Sequence, residues 1–301
     1  MKKYLIFATL VAMVFVGCKK NTTAPPKDPT KKPVAAKFGG KILTNDVKAT
    51  TRVTEDNKWE AGDFIGIYMV KEGSRLTKDV KLANYKFQSN DKGAFEEITG
   101  AIYFPSGGEK VDFVAYHPFN SSLSQTQHTQ FVEFGPQYSL KDMECLWASA
   151  TGRSEESPEV NFEFKRLQSS ARIIIVHGRE VDKPSSATIT LTSMPVKAVL
   201  DAVDGTLEVR DDVADLVIKD NQLYYFPPHK AENFKLRSMI IEVGAKKVVA
   251  PLEIDFESGK THKISVFLSE DGHKADVIAT LEPFERSQIT LKPTMRVEKK
   301  L

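Results

Sequence analysis

A chain of 301 residues is longer than one average domain and accommodates two of ordinary size. Its hydrophobic content of 41% is that of a folded globular protein and excludes a chain too polar to build a core. Lys and Arg number 42 against 40 Asp and Glu, and setting aside Lys2 and Lys3, which lie in a segment expected to be cleaved off, leaves 40 of each sign. A chain without net charge has no field-level reason to seek nucleic acid or an anionic membrane.

The first element is an export signal. Residues 1–17 open on Lys2 and Lys3 and continue as an apolar run from Tyr4 to Gly17. That run is shorter than the roughly 20 residues a membrane-spanning helix needs and has the form of a signal-peptide hydrophobic region. It ends in Phe-Val-Gly-Cys, which resembles the lipobox of bacterial lipoproteins, with Phe15 where Leu is usual. The resemblance implies cleavage before Cys18 and acylation of that cysteine. Several acyl chains hold a protein to a membrane far better than one, since each buried methylene adds about 0.8 kcal/mol. An ordinary signal followed by a coincidental cysteine is the competing reading.

Residues 18–40 are rich in Pro and Lys and poor in apolar residues. They are expected to form an extended tether, which at about 3.1 Å per residue reaches some 60 Å from a membrane. With Cys18 modified, Cys145 has no partner in the chain, so the fold is expected to rest on its cores. Cys145 reads better as a small apolar residue under a loop than as a nucleophile, which needs a base beside it.

From Lys41 onward short apolar runs alternate with turn residues, and no apolar stripe at helical spacing is sustained. Turn signals recur at Asn90-Asp91-Lys92-Gly93, Ser106-Gly107-Gly108, Asp204-Gly205 and Glu270-Asp271-Gly272. Short strands punctuated in this way predict an all-β architecture of the sandwich type. Within it, Trp59–Val70 is a polar Trp-Glu-Ala-Gly-Asp lead followed by an apolar run. Ile102 and Phe104 alternate before the Ser-Gly-Gly turn, and Val111, Phe113 and Ala115 alternate after it, which predicts a hairpin. A few helical turns are allowed near Lys141–Trp147. The runs at 171–176, 238–243 and 262–268 carry the β-branched bias of core strands. Residues 223–243 partly echo 101–116, an aromatic-aromatic-Pro corner followed by a Phe-containing strand, which suggests two related halves.

Several spaced positions resemble the fimbrillin family of surface lipoproteins and pilus subunits of Gram-negative anaerobes. These are Trp59-x-x-Gly62-Asp63-x-Ile65-Gly66-Ile67-Tyr68-Met69, then Ile102-Tyr103-Phe104-Pro105, then Val111-Asp112-Phe113-x-Ala115-Tyr116-x-Pro118. Residues 161–176 resemble the family's crossover into a second domain, with Arg166 where His is common, and residues 256–284 its later Gly-Lys hairpin, with Phe284 where Trp is usual. The likeness covers about residues 45–290. It implies two tandem transthyretin-like β-sandwich domains, expected at 41–158 and 159–301, and a non-enzymatic subunit of a fimbrium or a cell-surface adhesin anchored to the outer membrane. The partners it implies are other fimbrial subunits and surface ligands of host or bacterium. It further implies assembly by strand donation: a protease removes an N-terminal strand, and another subunit's C-terminal strand fills the groove. The physical basis is β-augmentation, in which an unpaired sheet edge accepts an added strand. Here Arg52, following a candidate first strand within 41–54, is the candidate processing point, with a surface arginine as the plainer reading. Ile289, Leu291, Met295 and Val297, alternating along 287–301 with Pro293 on the same face, are the candidate donor positions, and the plainer reading is the last strand of the chain's own domain.

Catalytic and cofactor patterns are missing from the sequence. The six histidines form no His-x-x-x-His pair, and Gly259-Lys260-Thr261 lacks the upstream glycine of a phosphate-cradling loop. Asp201, Asp204 and Glu208 do not follow the alternation of a calcium loop and are explained by an Asp-Gly turn. No metal and no cofactor are therefore expected. The aromatics at Tyr103, Phe104, Tyr116, Tyr224, Tyr225 and Phe226 support an alternative function, a monomeric surface lipoprotein that captures glycans for nutrient uptake, although alternation makes core packing the commoner role for such residues.

Overall fold

The computed structural model describes residues 32–43, 59–90, 92–135, 143–177, 187–219, 222–243, 245–268 and 275–282. Among them the regular elements are strands with short 3₁₀ geometry at Met143 and at Ala231–Asn233, so the all-β expectation holds. No helix of the described residues is long and apolar enough to cross a membrane.

Seven strands close into a barrel. They are β1 (Lys37–Ile42), β2 (Phe64–Lys71), β3 (Val80–Ser89), β4 (Ala94–Glu97), β5 (Val111–His117), β7 (Leu146–Arg153) and β8 (Glu159–Arg166), in the order β1-β4-β3-β2-β5-β7-β8. The expectation for this half is a β-sandwich domain. The sheet closes because β1 runs parallel to β8 and antiparallel to β4, joining its two ends. The strand β6 (Thr129–Glu133) leaves the barrel and pairs with β11 (Lys197–Asp201), which carries β12 (Thr206–Val209) on its other side.

The later chain supplies two four-stranded sheets. One holds β13 (Val213–Ile218), β10 (Thr188–Pro195), β15 (Ser238–Val243) and β16 (Lys246–Pro251) in that order. The other holds β14 (Leu223–Phe226), β9 (Ser169–His177), β17 (Thr261–Leu268) and β18 (Ala275–Glu282), with β9 and β17 parallel. Their facing sides share one cluster that includes Ile173, Ile189, Leu191, Met239, Ile241 and Ile264.

Side-chain alternation explains the layering. Ile65, Ile67 and Met69 of β2 point into the barrel, while Tyr68 and Val70 point outward into a second cluster with Tyr116, Phe134, Leu200 and Leu207. Strands covered on both faces lose the polar half of their period, which is why Val111–His117 is buried at every position. The cover is the three-stranded sheet of β6, β11 and β12. Trp147 anchors it by donating its indole N–H to the Ala202 carbonyl at 2.9 Å. Gly205 makes room for the anchor: its φ is +62°, and a Cβ there would lie 2.2 Å from the Trp147 ring.

Several expectations are corrected. Residues 37–40, read as tether, belong to β1, because Phe38 supplies a ring to the barrel centre. The segment 101–104 does not form a hairpin with β5, both of whose edges are taken by β2 and β7. Ile102 and Phe104 do point inward, but their backbone bonds the incoming chain, Ala36 N–H to Ile102 O at 2.8 Å and Phe104 N–H to Val34 O at 3.0 Å. Of the stretch where helical turns are allowed, Met143 has 3₁₀ geometry, and Leu146 and Trp147 already belong to β7. Finally, β8 pairs in the barrel, so the change to the later sheets falls at Leu167–Gln168, beyond the expected boundary at 158/159.

The Trp-Glu-Ala-Gly-Asp lead is a turn with its own hydrogen bonds. Asp63 accepts the Glu60 N–H on Oδ2 at 3.0 Å and returns its own N–H to the Glu60 carbonyl at 3.1 Å. Gly62, at φ +100°, is the position there that an L side chain rarely adopts.

Candidate functional site

The site with the clearest construction is the groove that holds β1. From Val34 to Leu43 the chain contributes β1, which fills the gap in the barrel wall between β4 and β8. Val34, Ala36, Phe38, Gly40 and Ile42 form one alternating face, a period of two that flanking Pro and Lys residues obscure in composition. Phe38 is 4% exposed. Its ring meets Phe87 edge-on at 5.1 Å and Phe113 edge-on at 5.2 Å, and stacks on Phe162 at 5.8 Å. Edge-on and offset ring contacts of this kind favour a fixed ring orientation.

The groove is tailored to glycine at its middle. A Cβ on Gly40 would sit 2.8 Å from the Phe164 ring and 3.0 Å from Phe95, and one on Gly39 would sit 2.9 Å from Asn161 Oδ1. Phe95 and Phe164 in turn pack against Trp59, at 5.0 and 4.9 Å between centroids. Backbone bonds fix β1 on both sides. Lys37 N–H donates to Pro158 O at 2.8 Å, Leu43 N–H to Phe164 O at 2.7 Å, and Gly40 N–H to Gly93 O at 2.8 Å. Lys41 pairs with Glu163 at 2.9 Å on the exposed face.

The parallel pairing of β1 runs over six residues of β8, from Lys37 with Glu159 to Ile42 with Phe164, whereas β4 matches only Phe38 and Gly39. Removing β1 would therefore strip one edge of β8 and expose the ring faces of Phe87, Phe113 and Phe162. Such a groove binds backbone and alternate side chains together.

Of the residues singled out in the sequence, Cys18, Arg52, Ile289, Leu291, Met295 and Val297 lie outside the described residues. Cys145 is fully buried, and burial, with Glu144 beside it, pushes its thiol well above the ordinary range, opposite to what a nucleophile needs. Asp201 accepts the Val203 N–H at 2.7 Å, a turn role, and Asp204 pairs with Arg75. Among the described residues no group of three His, Cys, Asp or Glu side chains converges as a metal site would require. Of the aromatics considered as sugar platforms, Phe104, Tyr116 and Phe226 are buried, Tyr224 and Tyr225 are half-buried, and Tyr103 is exposed. Trp59 is buried in the barrel.

Sequence reading missed Phe38, Gly39 and Gly40 as site residues, although their alternation was available. It also missed Asp112, whose carboxylate receives Gly73 N–H at 2.8 Å and Gly152 N–H at 2.7 Å and so ties the turn after β2 to the irregular stretch of β7. No local pattern announces that role.

The model of a family described as fimbrillin-like matches residues 51–283. A candidate fimbrium subunit of Bacteroides uniformis, Fim1C, is 32% identical over 165 residues, 54% of this chain and 52% of the relative. The chain thus spans about half the length of that relative. Among solved structures, a candidate cell adhesion protein from Bacteroides uniformis matches with a TM-score of 0.66 at 20% identity, over 85% of this chain and 99% of that one. Another, from Bacteroides ovatus, matches with a TM-score of 0.63 at 13% identity, over 90% and 99%. At such identities the structural likeness is one of fold.

Proposed function

The chain belongs to the fimbrillin-like family, and from that premise we propose that it is a non-enzymatic subunit of a fimbrium, or a cell-surface adhesin, that works by contact. In this reading Cys18 carries the lipid anchor that holds it to the outer membrane, the folded part is a tandem of transthyretin-like domains, and β1 is the exchangeable strand. The observation that carries the proposal is the seating of β1. It is a short strand closing an otherwise continuous sheet, it precedes Arg52 in sequence, and it lies ahead of residue 51, where the family match begins. A cut after Arg52 leaves β1 held by packing and backbone hydrogen bonds alone. An incoming strand then competes for the same β8 edge and the same ring socket, without the covalent link that favours β1. The C-terminal segment of a second subunit, presenting Ile289, Leu291, Met295 and Val297, is the proposed competitor. That face carries no glycine, so the rings of Phe95 and Phe164 must yield where Gly40 now lies.

The test is limited digestion with an Arg-specific protease, followed by N-terminal sequencing and electrophoresis in SDS without boiling. Cleavage to a new terminus at Val53, together with ladders that vanish on deletion of 287–301, supports the proposal. A cleaved chain that stays monomeric at high concentration overturns strand exchange. The N-terminal residue on cells separates the two states: acylated Cys18 marks the anchored form and Val53 the processed one.

A further inference from the structure

Two crossovers link the sheets of the sandwich at one end. Residues 227–237 run from β14 to β15 and residues 252–260 from β16 to β17, and each passes between the two sheets. They meet at His229 and Phe256, whose backbones exchange two hydrogen bonds of 2.9 and 2.8 Å. Behind this bridge lies Arg237, 2% exposed. Its guanidinium reaches three acceptors: His229 Nε2 at 2.7 Å, Ile254 O at 2.9 Å and Phe234 O at 3.2 Å.

The partners fix the protonation state of His229. Arg237 can only donate, so Nε2 must offer a lone pair, and the Pro227 carbonyl, 2.7 Å from Nδ1, can only accept, so Nδ1 must carry the hydrogen. Both ring nitrogens are spoken for, and the imidazole is neutral. His262 repeats the pattern across the Phe256 ring, with Nδ1 facing the Ser170 carbonyl at 3.0 Å and Nε2 facing the Glu257 N–H at 3.4 Å. We propose that the His229–Arg237 contact is an acid-released latch: protonation of His229 sets donor against donor and cation against cation, and frees the two crossovers from each other.

The surroundings do little to compensate. His229 stacks on Phe256 at 4.9 Å and meets Phe234 edge-on at 5.3 Å, so both packed faces are apolar. Asp255 is the acidic group that favours charge on His229, but its Oδ1 is engaged by the Ala231 N–H at 2.8 Å, and Arg237 and His262 oppose it. Glu257 acts on His262. On the crossover itself Lys230 and Glu232 face solvent and each other. Burial accordingly holds His229 down at about 4, and pushes His262 in the same direction. A histidine lowered in the folded state leaves stability intact above about pH 6.5, its unfolded value, and drains it as pH falls toward about 4. The latch adjoins a cavity of about 610 Å³ lined by Lys235, Arg237, Glu253 and Asp255 among others, which gives the released crossovers space to move and water to enter.

Hydrogen exchange on the full chain tests this between pH 7 and pH 5, with intrinsic rates corrected. Protection across 227–237 and 252–257 is expected to fall roughly tenfold or more over that range, while β2 and β5 keep theirs. In His229→Gln, which retains an acceptor that does not titrate, the dependence should shrink. An equal fall in barrel strands, no fall at the crossovers, or an undiminished fall in His229→Gln overturns the latch. Should that variant not fold, NMR titration of the unmodified chain decides: a folded-state midpoint for His229 near 6.5 removes the coupling, and one well below it upholds the latch.

Discussion

The barrel and the sandwich bury their apolar surface with different side chains. Phe38, Phe87, Phe113 and Phe162 meet at the barrel centre, and Phe95, Phe164 and Trp59 form a second group beside them. The sandwich is filled by branched aliphatic residues such as Ile173, Ile189, Leu191, Ile241 and Ile264, with the aromatics Phe226 and Phe256 in tilted contact. Branched side chains interlock with many neighbours at once, so each strand of the sandwich is held from several directions. The rings of the barrel instead leave flat faces around one inserted side chain, Phe38. A socket of that form can lose its occupant and accept another apolar group, whereas the sandwich would have to repack. If both proposals hold, strand exchange belongs to the barrel and the pH response to the sandwich.

The sharpest way to break this comparison is to empty the socket. Phe38→Ala removes a buried ring from between three others and is expected to cost about 3–5 kcal/mol. A one-carbon truncation in the sandwich, Ile173→Val, should cost about 0.5–1.5 kcal/mol. Urea unfolding of both variants measures the pair. Equal losses would mean that β1 is no more decisive for the barrel than one methyl group is for the sandwich.

Next in size is the lock itself. Arg237→Ala leaves His229 Nε2 and the Ile254 and Phe234 carbonyls without their shared donor, and the lost hydrogen bonds and packing predict a cost of about 2–4 kcal/mol. Differential loss of protection at the crossovers before the barrel would place that cost in the sandwich. Gly40→Ala follows at about 1–3 kcal/mol from overpacking against Phe164 and Phe95. If β1 is the exchangeable strand, the same substitution should also speed its displacement after cleavage, which the rate of ladder formation reads.

How much of this was legible beforehand depends on the range of the interaction. The apolar runs at 171–176, 238–243 and 262–268 became β9, β15 and β17 because β-branched bias and turn punctuation are local. Ile102 and Phe104 do share one face, as their alternation predicts, yet that pattern pointed to a hairpin with the next run and not to the incoming chain, since alternation gives a face and not a partner. Phe38 was lost in a Pro- and Lys-rich stretch, where average composition outweighed a five-position alternation. His229 and Arg237 carried no signal at all: they come together through a crossover, and their acceptors at Ile254 and Phe234 are backbone carbonyls that any residue supplies. The candidate donor positions and Arg52 remain sequence expectations tied to the assembly proposal.

Smallest of all is the effect expected at the rim of the groove. Lys41 and Glu163 stand 2.9 Å apart, yet their side chains are 69% and 62% exposed. Water screens such a pair, and two long side chains lose rotamer freedom in holding it, so Lys41→Ala should change barrel stability by about 0.5 kcal/mol or less. The same stretch of β1 therefore contains the largest and the smallest expected effect, three residues apart. The contrast separates packing from charge as the source of β1 retention. If Lys41→Ala releases cleaved β1 as readily as Phe38→Ala does, and added salt does the same to the unmodified chain, the strand is held by its exposed ion pair and the ring socket is incidental. If salt has little effect and Phe38 dominates, retention is apolar, and any competing strand must bring a large side chain to that socket.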